Sequence, residues 1–324
     1  MEGILAFVQP SEDFEMGIEV HPGVTHADRI ARLAAIGFTR ISIGIQDFSP
    51  FILEKINRHQ TFEQTRDLVL EARKHGFHSV NFDLVYGLPF QTLNDVRHTL
   101  GKVLELRPDR IAFYGYAHVP WKSKGQRHFT ENDLPEALER WDLFEEGKSL
   151  LLENGYRAIG LDHFALETDP LWEATLEKRL HRNFMGYTEQ NARLLIGLGA
   201  SSISESPDAY AQNHPVLEDY MQGLQHQTFP ISKGHQLQVC DQYWKQRIMD
   251  LMCQMETTLH RSSDVWEPVL QRLQDMQTEG LVEIEEQKIR VTELGQAFVR
   301  SVCLMLDQRY WSAKEEEYRF SAAV

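Results

Sequence analysis

Glu19, Gln46, Asp83 and Ala117 stand 27, 37 and 34 residues apart, each at or near the end of a short apolar run. Strands alternate their faces, so residues at successive strand ends can aim into one shared space. Two carboxylates and an amide gathered there suit a ligand bearing hydroxyls and an ammonium group, through charge pairing and hydrogen bonds. Arg58, 12 residues after Gln46, adds a guanidinium able to clamp a carboxylate with two parallel bonds. The stretch Trp121-Lys122-Ser123-Lys124-Gly125-Gln126-Arg127-His128 is a basic patch in an acidic chain and fits an anionic substrate. For each of these residues the alternative is an ordinary solvated loop or helix end.

Other groups offer less. Gly197-Leu198-Gly199-Ala200 follows no strand and lacks the glycine fingerprint of a dinucleotide site. Of the 14 histidines, His118 and His163 lie near strand ends and are secondary candidates; His21, His26, His75 and His78 read as surface or structural. Cys240, Cys253 and Cys303 lie far apart with no metal-ligand spacing. No nucleophile elbow, phosphate loop or zinc motif occurs, and no side chain is singled out as catalytic.

The elements that must position these residues form an alternating series. Strands are expected at Met16–Val20, Arg40–Ile45, Asn81–Val85 and Arg110–Gly115, with polar or Gly/Pro-bearing tips such as Gln46-Asp47-Phe48 and Tyr86-Gly87-Leu88-Pro89. Helices between them open at Thr25, Thr61 and Thr92, each with an acid or amide three positions on, the spacing of a capping box. Gly37 and Gly76 stop two of these helices in a left-handed turn. This is α/β alternation, whose crossovers imply parallel strands. A long helix is expected around Glu136–Glu153 and a further strand at Tyr156–Leu161. Residues 1–165 thus read as a partial barrel, 166–258 as a mostly helical segment, and 259–324 as a winged-helix-like domain. In that last part a helix at Val265–Gln277 is followed by strands at Leu281–Ile284 and Lys288–Val291 and a helix opened by Thr292.

The net charge of −15 opposes unspecific binding to nucleic acid or anionic membranes. The tail's shape suggests a nucleic-acid-binding regulator, yet residues 264–300 carry eight acidic side chains against four basic ones, the wrong balance for phosphates. No apolar run approaches the length of a membrane span and no leader is visible. Three scattered cysteines are expected of a reducing, cytoplasmic compartment.

Taken together, Ile18-Glu19-Val20-His21-Pro22, Gly44-Ile45-Gln46-Asp47-Phe48, Ile56-Asn57-Arg58, Asp83-Leu84-Val85-Tyr86-Gly87-Leu88-Pro89, Tyr116-Ala117-His118-Val119-Pro120, Gly160-Leu161-Asp162-His163-Phe164, His181-Arg182-Asn183-Phe184-Met185-Gly186-Tyr187-Thr188 and Tyr210-Ala211-Gln212-Asn213 resemble the oxygen-independent coproporphyrinogen III oxidase (dehydrogenase) family. The resemblance runs from about residue 15 to the end and its motifs are specific in combination. It implies an α/β radical S-adenosylmethionine fold: a TIM-like (β/α)₆ barrel, here lacking its first strands, plus a C-terminal helical, winged-helix-like domain. It implies anaerobic oxidative decarboxylation of two propionates of coproporphyrinogen III to vinyl groups in haem synthesis. Two S-adenosylmethionine molecules, a [4Fe–4S] cluster, an electron donor and a monomeric enzyme belong to the same expectation. Carried over by motif, Glu19 and Ile203 would contact the cluster-bound S-adenosylmethionine; Gln46, Arg58, Asp83 and Ala117 would contact the second. Lys122, Lys124, Arg127 and Arg182 are further carboxylate partners on offer.

One departure matters. The family's C-x-x-x-C-x-x-C cluster loop and its Gly-Gly-Gly-Thr-Pro segment precede the first strand seen here and occur nowhere in this chain. Three thiolates must hold such a cluster while one iron stays open for S-adenosylmethionine. The chain therefore reads as N-terminally truncated, inactive alone, poor in iron, and open along the strand at Met16–Val20. A haem-binding chaperone on the same barrel is the nearest alternative. Its second strand tip tends to read Gln-Ser-Phe, where this chain has Gln46-Asp47-Phe48.

Overall fold

A computed structural model describes residues 2–121, 123–260 and 266–312 of the chain. They form two compact units, one running up to Glu173 and the other beginning at Ala174. In chain order the first holds α1 (Glu2–Leu5), β1 (Gly17–Val20), α2 (Ala27–Ile36), β2 (Arg40–Gln46), α3 (Pro50–Lys55) and α4 (Phe62–Lys74). It continues with β3 (Ser79–Tyr86), α5 (Leu93–Leu106), β4 (Arg110–Gly115), α6 (Ala137–Glu153), β5 (Tyr156–Gly160) and β6 (His163–Leu166).

These strands make one sheet in the order β1-β2-β3-β4-β6-β5. The first four are parallel, as the α/β alternation requires. The expected fifth strand is present but does not continue the parallel run. Tyr156–Gly160 turns back through Leu161, at φ 49°, into β6, and it is β6 that pairs antiparallel with β4. A two-residue connection permits only a hairpin; a parallel neighbour needs a crossover of a dozen residues or more. Among the described residues β1 is paired on one side only, with β2.

The two faces of the sheet differ in kind. Ile41, Ile43 and Ile45 of β2 and Val80, Phe82 and Leu84 of β3 are buried in the core with Leu68, Val69, Leu100 and Val103 of the helices. Their alternates, Ser42, Gly44 and Gln46 with Asn81, Asp83 and Val85, are half-buried on the opposite face. Helices hold their places through local signals. Thr61 and Gln64 close a reciprocal capping box at α4, as do Thr92 and Asp95 at α5. Gly37 ends α2 at φ 109°, where an L side chain would be strained. The expected cap at Thr25 is not used: α2 begins one residue later, with His26 at the capping position and no side-chain bond. Backbone bonds from Val24 and Thr25 to the His21 carbonyl instead wind Thr25 into the preceding turn.

The second unit carries more strand than its sequence suggests. After α7 (Pro170–Leu176), within which the division falls, come the hairpin β7 (His181–Asn183) and β8 (Gly186–Thr188), then β9 (Ile203–Glu205) and β10 (Ala209–Asn213). Next are α8 (Leu217–Gln225), β11 (Ile231–Gln236), α9 (Val239–Gln254) and β12 (Glu256–Thr258). Residues 166–258 are thus not mostly helical: β9, β10 and β11 form an antiparallel sheet. Strands of three to six residues rich in Ser, Gln and Gly leave no apolar period to read. The tail has the expected order, α10 (Trp266–Thr278), β13 (Val282–Glu285), β14 (Lys288–Val291) and α11 (Val299–Leu306), with α12 (Gln308–Ser312) after it. Val265, the expected first residue of α10, lies outside the described residues. The proposed boundary at 258/259 cuts a sheet, because β12 pairs with β14. The wing is therefore three-stranded and continuous with α9, not a separate piece.

Candidate functional site at the tips of β1 to β4

The site is built where the parallel strands end. Register places Glu19 beside Ser42, Ser42 beside Asn81, and Gly44 beside Asp83, so these residues share the polar face of the sheet. Ser42 Oγ donates to Asp83 Oδ2 at 2.7 Å, and Asn81 Nδ2 donates to Asp83 Oδ1 at 2.9 Å. Asp83 is thereby held half-buried by two neutral donors. Glu19 is exposed on the same face.

A bulge shapes the tip of β2. The β2–β3 register shifts between Gly44 and Gln46, and Gln46 takes a φ of 68°. The extra residue takes backbone carbonyls out of the ladder, and buried carbonyls need other donors. Arg58 and Gln60 supply them. Arg58 Nη2 donates to the Gly44 carbonyl, Gln60 Nε2 donates to that of Ile45 at 2.5 Å, and Arg58 Nε donates to Gln60 Oε1 at 3.2 Å. Arg58 reaches this point because α3 ends at Lys55 and Asn57, just past the Ile56 cap, turns the chain back at a left-handed φ of 54°. Burial lowers the Arg58 pKa, while the Asp83 charge opposes that shift. A guanidinium starts so high that it stays charged.

Around Gln46 and Arg58 lies a cavity of about 410 Å³, which His21, Tyr116, Gln126 and Phe129 also line. Gly44 lets the Gln46 and Arg58 side chains approach the strand: a Cβ there would stand 3.2 Å from the Gln46 amide nitrogen and 3.4 Å from the Arg58 guanidinium. Burial pushes the Tyr116 hydroxyl up to about 12, so it remains a neutral donor. The Gly23 amide donates to His21 Nδ1 at 2.9 Å, which leaves the ring proton on Nε2. Burial first, and then the Arg58 charge, hold the His21 pKa below its ordinary value and keep the ring neutral.

Of the residues singled out from sequence, Gln46 and Arg58 line this cavity, and Asp83 and Glu19 lie on the polar sheet face that leads to it. Ala117 is exposed one residue beyond Tyr116, and its carbonyl accepts a bond from Gln126 Nε2 at 3.1 Å. Ile203 opens β9 in the second unit, paired with Gln212. His163 sits in register with Ala112 and bonds Asp162 at 2.7 Å; His118 lies 3.4 Å from the Tyr116 hydroxyl. Arg127 Nε is engaged by the Pro120 carbonyl. The side chains of Lys122 and Lys124 lie outside the described residues. His21 and Gln126 were not singled out; the closeness of His21 to the end of β1 was the one available signal.

Asp47 is a third residue that the sequence undersold. It is fully buried, and its carboxylate accepts from the Ser49 amide, the Thr99 hydroxyl and the Gln91 amide.

The radical SAM superfamily model matches residues 2–103, the stretch that builds β1 to β3. An oxygen-independent coproporphyrinogen III oxidase from Escherichia coli is 37% identical over 325 residues, covering 98% of this chain and 71% of that protein. The chain belongs to the oxygen-independent coproporphyrinogen III oxidase family. A relative from Synechocystis, at 36% identity, aligns with 97% of the chain and 70% of its own length. The anaerobic coproporphyrinogen III oxidase 1 of Cereibacter sphaeroides is 40% identical, and there the chain spans 56% of the relative's length. The solved structure of the Escherichia coli coproporphyrinogen III oxidase, described as a radical SAM enzyme, superposes with a TM-score of 0.91 over 95% of this chain and 73% of that one, at 36% identity. The chain therefore has a radical SAM fold, with β1 to β3 inside the stretch that the superfamily model matches.

The superfamily uses S-adenosylmethionine with a [4Fe–4S] cluster, and the two fit this chain differently. The Arg58 guanidinium and the Gln46 amide that line the cavity, with the Asp83 carboxylate acting on Arg58, suit the charges and hydroxyls of S-adenosylmethionine. The cluster finds no ligands: Cys253 and Cys303 are buried, with thiols pushed up to about 12 by burial, while Cys240 is exposed. Among the described residues no group of three or more His, Cys, Asp or Glu could hold a metal ion.

Proposed function

We propose that the chain binds S-adenosylmethionine at the tips of β2 to β4, as part of an enzyme that oxidatively decarboxylates coproporphyrinogen III to protoporphyrinogen IX in haem biosynthesis. The observation that carries this reading is a cavity of about 410 Å³ lined by Gln46 and Arg58, with the Asp83 carboxylate close enough to act on the Arg58 charge, in a chain of this family. Bound and reductively cleaved, S-adenosylmethionine supplies a carbon radical able to take a hydrogen atom from a propionate β-carbon. The chain's own residues bind and orient. Arg58, fixed by Gly44 and Gln60, offers its guanidinium to the methionyl carboxylate. Asp83, held by Ser42 and Asn81, offers its carboxylate to the ammonium group. Gln46 and the neutral His21 offer hydrogen bonds to hydroxyls, and the Ala117 segment closes the far side. In the family pattern these residues serve a second S-adenosylmethionine, with Glu19 and Ile203 serving the first. No step is assigned to the cluster, for which the cysteines of this chain are unsuited.

Titration calorimetry tests the reading. The purified chain should bind S-adenosylmethionine, and Arg58→Ala and Asp83→Ala should each weaken binding about tenfold or more, as loss of a charged partner does. Failure of the unaltered chain to bind would sink it. The haem-binding chaperone predicts the reverse preference, for haem over porphyrinogen; the relatives at 36–40% identity, all coproporphyrinogen oxidases, do not favour it.

A further inference from the structure

We propose that Asp47 is the positioning residue of the pocket: its buried carboxylate fastens the Gln46 tip of β2 to the Gly87 tip of β3 and so holds the Gln46 amide in place. The proposal rests on the reading of the pocket given above and adds a residue to it.

The bonds form one closed chain between the two tips. Asp47 Oδ1 accepts from the Ser49 amide at 2.6 Å and the Thr99 hydroxyl at 2.8 Å. Thr99 Oγ1 in turn accepts from the Phe48 amide at 3.0 Å. Asp47 Oδ2 accepts from Gln91 Nε2 at 2.7 Å. Gln91 Oε1 then accepts from the amides of Gly87 at 2.7 Å and Leu88 at 3.3 Å, while its nitrogen also reaches the Val85 carbonyl at 3.2 Å. Asp47, Thr99 and Gln91 are all buried. Val85, Leu88 and Gln46, at the outer ends of the chain, line the cavity.

Stability alone does not call for a carboxylate here. A buried charge is costly to desolvate, and apolar side chains of similar size commonly serve a core as well or better. What an apolar residue could not do is join two backbones at a set distance. Asp47 also follows Gln46 directly: the Gln46 side chain lines the cavity while that of Asp47 is fully buried. Pinning the inner one fixes the outer one.

The test uses a polarity swap. Asp47→Asn turns an amide donor toward the Gln91 donor, and Gln91→Glu sets two carboxylates against each other. The double variant Asp47→Asn/Gln91→Glu restores a donor opposite an acceptor and keeps one charge. Amide hydrogen exchange of the ligand-free chain reads the tip coupling, and S-adenosylmethionine calorimetry reads the pocket. Each single variant should speed exchange at Phe48 and Gly87 about tenfold and weaken binding by a similar factor. The double should recover both to within about threefold, a non-additive result that only interacting partners give. Should a single variant fold poorly, Thr99→Val against Thr99→Ser is read at the far tip: valine, which loses the bond to Asp47, should speed exchange at Gly87 and serine should not.

Unchanged exchange at Gly87 in Asp47→Asn would overturn the proposal. So would a double variant whose losses are the sum of the singles, which would make Asp47 a packing group only. If the unaltered chain failed to bind S-adenosylmethionine, the functional reading would fall, while the exchange data would still decide the coupling.

Discussion

Gly44 is the residue whose replacement speaks most directly to the pocket. A methyl group there meets the side-chain ends of Gln46 and Arg58 at 3.2 and 3.4 Å and the Val20 carbonyl only at ordinary contact distance, so Gly44→Ala should fold with near-normal stability by small shifts of those two ends. It should nonetheless bind S-adenosylmethionine about tenfold more weakly, because those shifts displace two groups that line the cavity; calorimetry beside thermal melting separates the two effects. His21 carries a pH signature. Its folded-state pKa is depressed, so the unfolded chain takes up the proton more readily than the folded one. The stability linked to the neutral ring is full above about pH 6.5 and is lost as pH falls through the folded-state value. His21→Asn keeps an acceptor for Gly23 but cannot be protonated, so its advantage over the parent chain should appear only on acidification. Denaturant midpoints at pH 7.5 and 5.5 check this. Gln46 could be picked out as the end of β2, Arg58 as a guanidinium in the stretch that follows it, and Asp83 as the lone acid of the β3 run; their role in binding is the proposal made above. Asp47 could not be, since a carboxylate after a strand reads as a loop entry, and only the fold brings Thr99 and Gln91 to it.

Elements are held by signals of uneven legibility. The capping box of α4 was visible as Thr61 and Gln64, and it forms with bonds of 3.2 and 2.8 Å. Thr61→Ala should cost about 1 kcal/mol, read from chemical denaturation. The packing of α6 on β4 was not visible. Gly147 faces Phe113 so closely that a Cβ would overlap the ring, a contact that no helix propensity announces. Gly147→Ala should destabilise by roughly 1–3 kcal/mol through overpacking, although alanine is the better helix former. Strands β7 to β11 escaped notice for a related reason: polar segments of three to six residues acquire strand geometry from their partners, not from a period of their own.

On the scale of the whole molecule, the sequence suggests three pieces, 1–165, 166–258 and 259–324, whereas the chain forms two compact units that divide within α7. Two outcomes belong here. Native alkylation should label Cys240 quickly and leave Cys253 and Cys303 untouched until the second unit unfolds, since burial holds both thiols near 12. Mass spectrometry across a denaturant series would show it. Anaerobic reconstitution with iron and sulfide should likewise leave no stoichiometric [4Fe–4S] cluster on the chain; iron analysis decides.

The bulge at Gln46 makes the pocket sensitive to counting as well as to chemistry. Side chains along β2 alternate strictly between oily and watery sides, and the single added residue sets which side each one past Gly44 meets. Deleting one residue there would leave every amino-acid type intact yet exchange the places of an amide and an acid. The acid would then face the ligand, and the amide would be left to knit two strand tips together.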